Sequence, residues 1–146
     1  NTSSPLLLTL GYSNITMYSK TTGRVTVTVK PYFLDDQSSP SDNHYVWAYN
    51  VNINNKGDDV LKLRHRTWII IDGNGRVLQV QGEGVVGETP EIKPGETFEY
   101  TSGTPLKTTS GIMQGYYSMV GSKGKSFKID IPTFSLDSPY EKKKIH

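Results

Sequence analysis

Hydrophobic and polar residues alternate with a period of two over most of the chain, the signature of half-buried β-strands. In "RVTVTVKPYFL", Val25, Val27, Val29 and Phe33 fall on one face and Thr26, Thr28, Lys30 and Tyr32 on the other. Pro31 removes a ladder donor, which predicts an edge position at least at that strand's end. "HYVWAYNVNIN" alternates more cleanly, with Tyr45, Trp47, Tyr49, Val51 and Ile53 facing in. "VLKLRHRTWIII" reads as a third strand with Leu61, Leu63, Ile69 and Ile71 on one face. "DGNG" at 72–75 is a hairpin signal, and "RVLQVQ" runs back as a fourth strand. "TFEYTS", "IMQGYYSMV" and "SFKIDIPTFSL" supply three more, separated by a Thr/Ser/Gly/Pro loop (103–111) and by "GSKGK".

No helical period of useful length occurs. Seven short strands with regular turn signals predict an all-β sandwich of two antiparallel sheets, with a small barrel as the alternative. Isolated hairpins cannot bury their apolar faces, so two sheets must pack face to face. Trp47 and Tyr49 are placed at the core's centre.

The length of 146 residues fits one domain, and a chain of that size buries roughly 68–70% of its unfolded surface. The absence of cysteine excludes a disulfide framework and thiolate chemistry and fits a reducing, cytoplasmic setting. A net charge of +2 gives no argument for nucleic acid or another polyanion. His44, His65 and His146 stand far apart, without metal-ligand spacing. No apolar run is long enough to span a bilayer. Residues 1–16 read as a flexible lead before a domain at 17–139, with docking of Leu6–Leu10 as an extra edge strand the competing reading. Residues 140–146 read as a frayed basic tail. Asn14-Ile15-Thr16 matches a glycosylation acceptor, but no secretion signal accompanies it.

Gly82-x-Gly84-x-x-Gly87 has the spacing of a dinucleotide-binding loop, which needs a strand before it and a helix after it to hold pyrophosphate. "ETPEIKPGE" follows instead, with Pro90, Pro94 and Gly95 opposing a helix and Glu83, Glu88 and Glu91 opposing an anion. The glycines therefore read first as loop-shaping residues and second as a nucleotide loop. Gly124-Lys125-Ser126 resembles the end of a phosphate loop but lies between strands, and reads as a hairpin turn. In "KLRHRTW", strict alternation puts Lys62, Arg64, Arg66 and Trp68 on one face and His65 inward. That stripe is either a solvated sheet face or a surface for a protein partner. Asp35-Asp36 and Asp58-Asp59 sit in polar turns, and no nucleophile elbow occurs. The chain therefore reads as non-enzymatic, with no cofactor.

Three stretches, "YVWAYNVNINN", "LKLRHRTWIIIDGNGRVLQVQGEGVVGETPEIKPGETFEYTSGTPLKTTSGIMQGYYSMV" and "FKIDIPTFSLDSP", closely resemble the ApaG family, from about Tyr18 to Pro139. The resemblance implies a fibronectin type III-like sandwich and the bacterial stand-alone form, rather than the domain appended to F-box or polymerase-delta-interacting proteins. It brings a suggestion of pyrophosphate or diadenosine polyphosphate binding at Gly82, Gly84 and Gly87, and a loose link to cobalt and magnesium tolerance. Its eukaryotic relatives imply protein–protein interaction. The combined expectation is a monomer or weak dimer that binds another protein. The surfaces expected to do so are the loop 82–95, the face with Arg64, Arg66 and Trp68, or a sheet edge that accepts a strand.

Overall fold

A computed structural model describes residues 16–141 and places nine strands in two antiparallel sheets. The first sheet has the order β1 (Tyr18–Thr22), β2 (Val25–Phe33), β3 (Tyr45–Asn55), β7 (Thr97–Leu106). The second has the order β5 (Val77–Glu83), β4 (Leu61–Asp72), β8 (Ser110–Gly121), β9 (Ser126–Asp137), with the two-residue β6 (Glu91–Ile92) also paired to β4. The sheets pack face to face as a sandwich, as the alternation requires. Two short 3-10 turns, Asp35–Gln37 and Pro40–Asp42, lie between β2 and β3. The expected leading segment lies outside the described residues except for Thr16, and the basic tail except for Tyr140 and Glu141. Tyr140 packs on Phe33 and Tyr45 and donates its hydroxyl to Asp35 at 3.0 Å.

The clean alternation of β3 translates directly into burial, with Tyr45, Trp47, Tyr49, Val51 and Ile53 all in the core. Tyr49 from one sheet meets Trp68 and Phe134 from the other at ring distances of 5.1 and 6.2 Å. Such tilted aromatic contacts add about 0.5–1.5 kcal/mol per pair beyond area burial. The "DGNG" hairpin forms as expected: Asp72 Oδ1 accepts from the amides of Asn74 and Arg76, and Gly75 takes φ 84°. The Gly124 turn likewise joins β8 to β9, with φ 83°.

The structure corrects the sequence reading in three places. Two strands, β1 and β6, are additional; β1 is short and mostly exposed, and β6, although its Ile92 is buried in the core, has only two residues, so neither shows an alternation. Pro31 meets the expectation at the strand's end: β2 is an inner strand as a whole, but Pro31 lies past the last residue that pairs with β1, so its missing donor faces no neighbour there. The loop expected at 103–111 is shorter, because β7 continues through Gly103 and Pro105 to Leu106, which an edge strand tolerates. The largest correction concerns β4. Its register against β8 shifts between Leu63 and His65, a β-bulge at Arg64. Beyond it the inward phase moves from odd to even residues. Trp68 and Ile70 enter the core, while Ile69 and Ile71 turn outward.

Candidate interaction site

The bulge governs the candidate site, because Arg64, His65, Arg66 and Trp68 of "KLRHRTW" lie at it or just beyond it. Trp68 is 2% exposed and belongs to the core, so it does not share a surface with Arg64. His65, expected inside, is exposed opposite Glu83. Arg64 is exposed at the bulge, and its carbonyl accepts from the Gly84 amide at 2.7 Å. Arg66 faces inward with Trp68 but is only half-buried. Its guanidinium donates to the carbonyls of Gly84 at 2.8 Å and Glu83 at 3.3 Å. The alternating pattern gave no sign of the inserted residue, so a straight strand would have kept Trp68 beside Arg64.

Gly82 is the residue across the ladder from Arg66. A β-carbon there would stand 2.7 Å from the Arg66 guanidinium. Glycine at 82 is therefore a seat for the arginine. Gly84 takes φ 63°, and a β-carbon on it would lie 2.0 Å from the Glu88 carbonyl oxygen. Val85 and Glu88 exchange two main-chain bonds of 2.8 and 2.9 Å around Val86 and Gly87, whose φ values are 41° and 83°. Positive φ at both central residues defines a type I′ turn. Val85 is fully buried as the plug beneath it, whereas Val86 at its tip is 53% exposed.

The segment then returns to β4 instead of entering a helix. Leu63 donates its amide to Pro90 at 3.0 Å, and Leu61 and Lys62 pair with Ile92 and Glu91. The loop thus bridges two stretches, β5 and β6, that share one edge of β4 on either side of the bulge. The amides of Gly84, Val85 and Glu88 are all bonded to main-chain carbonyls. A pyrophosphate cradle needs such amides directed at the ligand.

Beneath Arg66 lie three tyrosines. Tyr100 and Tyr117 share a hydroxyl–hydroxyl hydrogen bond in the core. Burial raises the hydroxyl pKa values of Tyr49, Tyr100 and Tyr117 above the ordinary tyrosine value, and the charge of Arg66 opposes that rise. Among the described residues no group of three metal-ligating side chains is present. A shallow groove of about 550 Å³ over the outer face of β3 and β7 is lined by Leu34, Val46, Ala48 and Pro105, with His44 as its sole titratable side chain.

The model of the ApaG domain matches residues 35–121. The ApaG protein of Paramagnetospirillum magneticum is 58% identical over 130 residues, covering 89% of this chain and all of that protein. The ApaG protein of Parvibaculum lavamentivorans is 53% identical over the same length and shares. A crystal structure of a proposed ApaA protein from Bordetella pertussis superposes with a TM-score of 0.77 at 48% identity, covering 80% of this chain and 94% of that one.

Proposed function

Since the chain belongs to the ApaG family, we propose that it is a non-catalytic module that binds another protein through the Val85–Glu88 hairpin and the neighbouring Arg64. The observation that carries this reading is Val86. A β-branched side chain is a poor occupant of positive φ, where asparagine or glycine is the usual choice. Here it is held at φ 41° and directed to solvent by a loop whose Gly84, Val85 and Glu88 amides are all bonded to main-chain carbonyls. Strain of this kind is retained when the side chain has work outside the fold. Arg66 and Gly82 hold the hairpin at a fixed angle, so the valine is presented as a rigid apolar knob. Arg64 supplies a charge beside it. A preformed surface of this type binds with little ordering cost.

The test combines Val86→Asn with Arg64→Glu. Partner capture is expected to fall with each substitution and to vanish with both, while melting temperatures stay within a few degrees of the wild type or rise. A partner that binds the double variant at wild-type affinity overturns the assignment. In ¹H–¹⁵N spectra the partner is expected to shift the amides of Val86, Gly87 and Arg64. ATP and diadenosine tetraphosphate, with or without magnesium, are expected to leave those signals in place; saturable shifts there would favour the phosphate reading.

A further inference from the structure

The β5 strand ends the second sheet, and among the described residues it pairs with β4 alone. The other sheet edges carry the devices that discourage strand addition. The β9 strand contains Lys128, Asp130 and Pro132, and its Asp130 amide is already bonded to Thr22 Oγ1 at 3.1 Å. The β1 strand is short, and Lys20 is paired with Asp130 at 3.2 Å. The β7 strand contains Glu99, Gly103 and Pro105. From Val77 to Gln81, β5 has neither charge nor proline. Val77 is 65% and Leu78 58% exposed.

The ladder fixes which main-chain groups are available. Asp72 donates to the Arg76 carbonyl, and Gly84 to the Arg64 carbonyl. Main-chain groups alternate sides along an antiparallel strand. Residues 76, 78, 80, 82 and 84 therefore turn toward β4, and Val77, Gln79 and Gln81 turn their N–H and C=O groups to the open side.

We infer that β5 pairs with β5 of a second copy of this chain, antiparallel, about a two-fold axis at Gln79. In that register Val77 meets Gln81 of the second copy and Gln79 meets itself, each pair exchanging both main-chain bonds. Leu78 meets Val80 on the inner face, which covers the apolar side chain that the first sheet leaves uncovered. The charges agree as well. Arg76 precedes the strand and Glu83 ends it, so antiparallel pairing sets unlike ends together and parallel pairing would set like ends together. The contact involves one short strand per copy and lies below the about 1,200 Å² of a standard interface. The dimer is accordingly weak, forming at micromolar to millimolar concentration. It uses a different surface from the Val86 hairpin and stands or falls separately from it.

Sedimentation equilibrium of the full chain tests the pairing. The wild type is expected to shift from monomer toward dimer across that range. Gln79→Pro removes only an amide that points to the open side, so β4 pairing survives; it is expected to weaken dimerisation by about tenfold or more. Leu78→Lys is expected to do the same without altering the backbone, and decides the matter should the proline variant unfold. Val86→Asn is expected to leave dimerisation unchanged. Because the chain has no cysteine, Gln79→Cys also checks the register. Self-facing positions stand at about 5.5 Å between Cα atoms, within disulfide reach, so mild oxidation is expected to cross-link this variant and to leave Val77→Cys monomeric. A wild type that stays monomeric at millimolar concentration, or a dimer indifferent to Gln79→Pro and Leu78→Lys, overturns the inference.

Discussion

Arg66 and Gly82 face each other across β4 and β5, and the guanidinium of one fills the space a side chain on the other would take. The pair is a single unit, since the arginine reaches the Glu83 and Gly84 carbonyls only over a bare backbone. Arg66→Ala is expected to cost about 1–3 kcal/mol through loss of its charged hydrogen bonds. Gly82→Ala is expected to cost about 1–2 kcal/mol by displacing the guanidinium. In the Arg66→Ala background the same Gly82→Ala change should become neutral or stabilising, because glycine inside a strand is otherwise worse than alanine by about 0.5–1 kcal/mol. A denaturant double-mutant cycle reads that change of sign. Additive losses would show the two residues to be independent.

The glycines at 84 and 87 are expected to differ sharply although both have positive φ. Gly84→Ala drives a β-carbon into the Glu88 carbonyl, a backbone atom that cannot step aside, and should destabilise by more than about 3 kcal/mol. At Gly87 the space is open, so Gly87→Ala should cost only the conformational penalty of about 1–2 kcal/mol. Equal midpoints for the two variants in chemical denaturation would contradict the loop geometry.

Val86→Asn should stabilise the protein. Asparagine followed by glycine is the favoured pair for a type I′ turn, and relief of a β-branched residue from the left-handed region is worth about 1 kcal/mol. A rise in the denaturation midpoint is the expected result. A fall would mean that Val86 contributes to the fold and would remove the ground for reading it as a partner contact.

The buried tyrosines make the protein sensitive to alkali. Burial holds their folded-state pKa values above that of an ordinary tyrosine, so the unfolded chain releases these protons first. Stability from this source is present at neutral pH and is lost as pH rises past about 10. Absorbance at tyrosinate wavelengths should show Tyr49, Tyr100 and Tyr117 ionising together with unfolding. Tyr100→Phe with Tyr117→Phe removes both members of one hydrogen bond, a change that can be nearly neutral at pH 7, and should flatten the alkaline loss. An unchanged alkaline slope in that double variant would place the sensitivity elsewhere.

Strict alternation made the β3 core residues legible, and the Asp72–Gly75 hairpin was equally plain from its turn residues. Pro90, Pro94 and Gly95 after Gly87 correctly opposed a helix. The face of "KLRHRTW" was misread for one physical reason: a bulge leaves no mark in a hydrophobic pattern when the inserted residue is polar, as Arg64 is. With Trp68 assigned to the wrong side, Arg66 could not be seen as the partner of Gly82. The small strands β1 and β6 escaped notice because β1 is mostly exposed and the two residues of β6, with only Ile92 buried, are too few to alternate.

That single extra residue gives β4 something like a reading frame. Leu61 and Leu63 are set in one phase and Trp68 and Ile70 in the other, and Arg64 is the spacer that reconciles them. For folding, the number of residues here matters more than the identity of the one at 64. Losing Arg64 would only straighten the strand, because Leu61, Leu63, Trp68 and Ile70 would then share one unbroken alternation. Gaining one more residue would send every side chain downstream to the opposite face, tryptophan included. The strand is thus tolerant of spelling and breaks its frame on addition.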